Sequence, residues 1–281
     1  YHTFSYLKDR IWKKLQGWKG KLLSRAGKEI LIKAIAQSIP TYTLSVFQLP
    51  LKLCDELDAM CAKFWWEQVG DEQKIHWQRW EKLTRSKKDG GMGFRDLRAF
   101  NLAMLAKQGW RLLHDDSSLV YQCLKSRYFP RTHLSDAKES PNCSFVWKSI
   151  VAALPILKVG CCWRVKNGQS IRVSGDKWIP NYPTNTPLLP LMEEVSEVVV
   201  AELIDPQLHA WRTEFIMHMF EPADAEAICR IQLSRRDVED TMIWLHHKKG
   251  LFTVKSAYRV AREVLHGGNL AKSLRGYVGK R

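Results

Sequence analysis

The chain has 281 residues, 45% of them hydrophobic, which is enough for one large or two ordinary domains with real cores and excludes a disordered chain. Lys and Arg total 44 against 29 Asp and Glu, a formal net charge of +15 that attracts polyanions. An odd set of seven cysteines with no CxxC pair argues against a disulfide framework and a zinc finger, and no stretch approaches the roughly 20 apolar residues of a bilayer span.

In chain order, Phe4, Leu7, Ile11, Leu15 and Trp18 recur at helical spacing, predicting an amphipathic helix with Lys8, Arg10, Lys13 and Lys14 mostly off the apolar stripe. Ser24 is placed to cap a second helix carrying Ala26, Ile30, Leu31, Ala34 and Ile35, which Pro40 ends. A third helix is expected from Pro50 through Leu57 and Phe64 to Trp66, since a proline at a helix start gives up no useful amide hydrogen. Ile75 to Trp80 predicts a small ribbon or irregular link, and Lys87 to Gly91 is turn chemistry. Asp96 then caps a long helix holding Leu97, Met104, Leu105, Gln108 and Leu112, with Arg98, Lys107 and Arg111 along one side. Further helices are expected at Ser118 to Tyr128 and Ser144 to Leu157.

Trp163, Val165, Ile171 and Val173 flank Lys166, Asn167 and Gly168. Side-chain parity predicts a hairpin over 161–174, with a three-residue loop, Gly168 left-handed and Trp163 opposite Ile171. Pro180, Pro183, Pro187 and Pro190 mark a linker over 180–192. A second unit over 193–265 reads as helices around Glu197 to Leu203, Pro206 to Phe220 and Pro222 to Ile231. An extended piece at Leu251 to Val254 then leads into a helix to Leu265. The Gly-rich, basic tail at 266–281 is expected to be disordered. The expected fold is therefore mainly α: a basic helical bundle over 1–70, a helical connection region with a small β-hairpin over 71–179, and a second mostly helical unit.

Nine basic residues before position 34 (Lys8, Arg10, Lys13, Lys14, Lys19, Lys21, Arg25, Lys28, Lys33) face only Asp9 and Glu29. Interleaved with Trp12 and Trp18, they suit a nucleic-acid surface on which cations neutralise phosphates and rings pack on sugar or base. A solvated basic face that aids solubility is the plainer alternative, as is a helical module that binds an acidic protein. The candidate nucleic-acid-binding set is Lys8, Arg10, Lys13, Lys14, Lys21, Arg25, Lys28, Lys33, Arg98, Lys107 and Arg111.

Other constellations read as structure. Asp115 and Asp116 sit in loop composition after a helix. His246 and His247 lack partners for a metal site. Gly90, Gly91 and Gly93 lack the strand before and the Lys-Ser or Lys-Thr after that a phosphate loop requires. No catalytic residue and no metal ligand is assigned.

Two strings carry a family resemblance. SRAGKEILIKAIAQSIPTYTLSVFQLP (Ser24 to Pro50) resembles the region just after the polymerase core of LINE-type, non-LTR retrotransposon reverse transcriptases of the plant type. GGMGFRDLRAFNLAMLAKQGWRLL (Gly90 to Leu113) resembles the same family further downstream, and GQSIRVSGDKWIP (Gly168 to Pro180) does so with Ser174 where an aromatic is more usual. The resemblance implies a C-terminal thumb and post-thumb fragment of an RNA-directed DNA polymerase. Such a fragment would bind RNA, an RNA-DNA hybrid or DNA, with the rest of the polyprotein upstream of Tyr1, where the chain opens without an initiator Met. The family's diagnostic aromatic-x-Asp-Asp hairpin is not in this sequence, so no cofactor is expected here. Magnesium belongs to the catalytic palm upstream, and zinc to ligands that the family carries beyond FTVKSAY (Phe252 to Tyr258). This chain alone is expected not to polymerise. The sequence predicts a soluble, intracellular protein, and the resemblance allows a nuclear location. A degenerate retroelement remnant is the remaining alternative.

Overall fold

A computed structural model describes residues 2–18, 23–66, 75–188, 198–234 and 238–267. Its elements follow in chain order. Helices α1 (Ser5–Trp18), α2 (Arg25–Leu31), α3 (Thr41–Val46), α4 (Leu51–Trp65), α5 (Trp80–Leu83), α6 (Leu97–His114), α7 (Leu119–Tyr128) and α8 (Phe145–Gly160) precede strands β1 (Cys161–Arg164), β2 (Ile204–Asp205) and β3 (Ala210–Trp211). Helices α9 (Thr213–Met219) and α10 (Pro222–Cys229), strand β4 (Thr241–Trp244) and helix α11 (Val254–His266) complete the chain. The fold is mainly α with minor β, as the sequence predicts. It divides into two compact units, Tyr1–Lys158 with Val254–Arg281, and Val159–Thr253.

In the first unit, the α1 stripe Leu7, Ile11 and Leu15 shares one buried core with Ile32, Leu44, Leu53, Leu57 and Phe94. Each fully buried side chain of this kind contributes about 1.5–3 kcal/mol. The predicted caps form: the hydroxyl of Ser24 accepts from Gly27 N at 3.2 Å, and the carboxylate of Asp96 from Ala99 N at 3.0 Å. After α2 the chain widens into a π-type turn over Ile32–Ala36. Pro50 precedes α4, as expected.

Two polar side chains fix this part of the unit. Buried Asn101 of α6 donates to Leu44 O and Phe47 O and accepts from Leu49 N, each at 2.8 Å, so the link from α3 to α4 is hydrogen-bonded to α6. Gln37 exchanges reciprocal 3.0 Å bonds with the backbone of Arg95. Helix α11, strongly amphipathic, packs along α6 through Ala257, Val260, Ala261 and Val264. The turn at Gly90 to Gly93 is tight. A Cβ on Gly91 would lie 2.1 Å from Arg85 O, which leaves no room for any other residue.

In the second unit, Val165, Ile171, Val173 and Trp178 share one core with Leu203, Ile216, Phe220 and Ile228. The predicted hairpin over 161–174 does not form. β1 pairs antiparallel with β4, Trp163 opposite Met242, and Arg172 bridges to Val199. The physical reason is Asp240. Its carboxylate accepts from Lys166 N (2.7 Å), Gly168 N (3.0 Å) and Ser170 N (3.1 Å), taking up backbone donors of the turn. Gly168 is left-handed, as read, at φ 72°.

The observed division also differs from the expected one. Residues 161–179 belong with the second unit, and α11 belongs with the first. The described part of the proline-rich stretch is anchored rather than free. Leu188 N donates to Asp224 Oδ2 at 2.8 Å, the Tyr182 hydroxyl also donates to Asp224, and Trp178 N donates to Asn185 O at 2.8 Å. Positions 189–192 of that stretch and all of the tail but His266 and Gly267 lie outside the described residues. The helix expected over Pro206 to Phe220 is shorter, because β2 and β3 and the turn between them occupy its first part.

Candidate nucleic-acid interface

Helix α1 carries its apolar stripe inward, with Lys13 across from it, Arg10 to one side and Lys14 at its edge, and all three cations are exposed. Trp12 is 48% exposed, while Trp18 packs on Phe64 with ring centroids 5.9 Å apart. Lys8, also exposed, pairs with Glu56 of α4 at 3.1 Å. The outer edge of α1 is therefore a short cationic strip with an indole on its other flank, backed by a rigid core.

The cations of the next segment are placed differently. Arg25 donates to Trp65 O at 3.0 Å and lies over the Trp65 and Trp66 rings at 5.4 and 5.5 Å. Lys28 is buried, 6% exposed, with its ammonium 6.0 Å from the Phe64 ring centre. Lys33 donates to Glu29 and to Met92 O, both at 2.6 Å, and lies over Phe94. These three hold α2 and the turn after it onto α4 and the glycine turn, and Lys28 in particular presents no charge at the surface. Lys87 joins the same knot at 2.9 Å from Glu29, and the two lysines hold the Glu29 carboxyl below the usual range. Lys21 lies outside the described residues.

On α6, Lys107 and Arg111 are exposed one helical turn apart, whereas Arg98 is half-buried near Cys54. Helix α11 adds Lys255 and Arg259, both exposed and again four residues apart. Sequence reading passed over this last pair, although the spacing within Lys255 to Arg259 carried the signal.

Burial pushes the Cys54 and Cys161 thiols up to about 12 and Cys162 to about 11, so these thiols are inert at neutral pH. Burial, with the Asp96 carboxylate nearby, pushes the Asp58 carboxyl up to about 8. Asp115 closes α6, its carboxylate accepting from Ser117 Oγ at 2.8 Å. The His246 ring lies against Trp244, and His247 Nδ1 accepts from Lys249 N at 3.3 Å. Among the described residues no group of three or more His, Cys, Asp or Glu is placed to hold a metal ion, and no helix is long and apolar enough to cross a membrane.

No family profile matches the chain, and no solved structure matches it. Two proteins of Arabidopsis thaliana do. The chain is 38% identical over 155 residues to the "Uncharacterized mitochondrial protein AtMg00310", covering 55% of this chain and 99% of that protein. It is 29% identical over 278 residues to the "Putative ribonuclease H protein At1g65750", covering 92% of this chain and 42% of that protein. The chain thus spans nearly all of the first relative and less than half of the second.

Proposed function

This chain belongs to the family of the uncharacterized mitochondrial protein AtMg00310, and from that premise we propose that it is retroelement-related and binds RNA or an RNA-DNA hybrid through the outer strip of α1. In this reading it corresponds to the thumb and post-thumb part of an RNA-directed DNA polymerase of the LINE type. The resemblance of Ser24 to Pro50 and of Gly90 to Leu113 supports the assignment, as does the likeness over 92% of the chain to a longer protein named for ribonuclease H. The observation that carries the binding reading is the exposure of Arg10, Lys13 and Lys14 together in one arc of a helix whose neighbouring stripe is buried. Such a strip contacts phosphates and reads little sequence. Lys107 and Arg111 on α6 are further phosphate contacts, and Trp12 offers a stacking surface.

The test is a titration of a labelled RNA-DNA duplex by fluorescence anisotropy at several salt concentrations. Each phosphate neutralised contributes about −0.9 to the slope of log affinity against log salt on duplexes. The reading requires a steep slope in the native chain and one shallower by about 2 to 3 in the variant Arg10→Glu, Lys13→Glu, Lys14→Glu. A slope unchanged by that variant moves the site off α1, and a flat slope in the native chain sinks nucleic-acid binding altogether.

A further inference from the structure

Helix α7 is anomalous among the helices of its unit: none of its ten residues is buried. Its inner side is only half-covered, Tyr121 lying against Phe129 and Tyr128 stacking on Trp147 at 4.8 Å. The outer side is apolar where solvent would favour charge. Leu119 is 75% exposed and Val120 61%, and Cys123 is exposed as well. At about 100° per residue, Leu119, Val120, Cys123 and Arg127 fall within one arc of roughly 100°. Leu119, Val120 and Cys123 thus form a small apolar patch that nothing among the described residues covers.

Charge along the same helix says what covers it. Asp115 and Asp116 lie just before its cap, Ser118, and both are exposed. Arg127 and Arg131, exposed, lie at and beyond its other end, and no Asp or Glu occurs between Asp116 and Asp136. Along the chain the segment is acidic just before the helix, apolar in its first half and basic at and after its end. Such a pattern is complementary to itself when reversed, which is what a two-fold axis supplies.

We propose that the outer face of α7 is a homodimer contact, pairing antiparallel with α7 of a second copy about an axis close to Cys123. In that register the two Cys123 side chains meet at the axis, Leu119 packs on the aliphatic stem of Arg127 of the second copy, Asp115 faces Arg131 of that copy, and Asp116 lies about one helical turn from its Arg127. One helix pair buries less than the roughly 1,200 Å² of a standard interface, so the dimer is weak, with a dissociation constant on the order of 100 µM. The rim charges set orientation more than affinity.

The experiment uses the full chain. Sedimentation velocity over a concentration range shows dimer growing in, and Leu119→Asp returns the protein to monomer with an unchanged far-ultraviolet dichroism spectrum, because the site is exposed. A short bis-maleimide yields a covalent dimer that Cys123→Ser abolishes while the sedimentation dimer persists. Asp116→Arg alone weakens association several-fold, and combining it with Arg127→Asp restores it. A monomer at every concentration overturns the proposal and leaves the face to a different protein. A dimer that tolerates Leu119→Asp, or cross-linking that survives Cys123→Ser, overturns it too.

Discussion

Helix α1 and the α2 segment carry similar runs of Lys and Arg within one 33-residue stretch, yet the structure gives them opposite roles. On α1, Arg10, Lys13 and Lys14 lie beside or across from a continuous apolar stripe and are exposed. Arg25, Lys28 and Lys33 instead meet aromatic rings and carbonyl oxygens of α4 and the glycine turn. The lesson is that a basic run counts as a binding surface only after the neighbouring elements are known. A cation within reach of indole faces and carbonyls is held inward by cation-π attraction and charge-assisted hydrogen bonds.

The comparison breaks most readily at Lys28. Lys28→Glu places an anion at a buried position and costs about 3 kcal/mol or more, read by urea unfolding, whereas the triple reversal on α1 stays within about 1 kcal/mol of the native chain. Equal destabilisation by the two variants would erase the distinction between inner and outer cations.

Carboxylates sharpen the same contrast through pH. Asp58 has a folded pKa of about 8, above its unfolded value near 3.8, so folding binds a proton and stability falls as pH rises between those values. Asp58→Asn removes that fall, and urea midpoints compared at pH 5 and pH 9 measure it. The variant gains most over the native chain at the higher pH.

For RNA-DNA affinity the expected order reverses. The α1 triple reversal lowers it at least tenfold, about 1.4 kcal/mol, at moderate salt, while Lys28→Met, which removes a charge already hidden, leaves it within about threefold. Similar losses from both would return Lys28 to the surface set.

The smallest effect concerns Glu29, whose folded pKa is depressed by Lys33 and Lys87. Its stabilisation is complete above the unfolded value near 4.5 and is lost as pH falls through the folded value. Glu29→Gln therefore flattens the acid limb of the stability profile slightly, an effect visible in thermal melts between pH 2 and 5.

The sequence by itself determined most of the long helices, though not the short α3 and α5 or the start of α9. Leu7, Ile11 and Leu15 mark one face by period alone, Ser24 and Asp96 each cap an amide three residues on, and Pro50 acts on its own backbone. Such signals are legible because their partners are close in the chain. The outward direction of Arg10 and Lys13 follows from the same period.

Only the tertiary structure decided the rest. The inward turn of Lys28 depends on Phe64, 36 positions on, and Asn101 makes sense only beside Leu44, Phe47 and Leu49. β1 meets β4 rather than folding back, because Asp240 collects three amide hydrogens more than 65 residues upstream. Local parity chose a hairpin that this carboxylate forecloses. Periodicity and capping act through the chain, whereas buried charges and strand partners are settled by whichever distant group satisfies them once water is excluded.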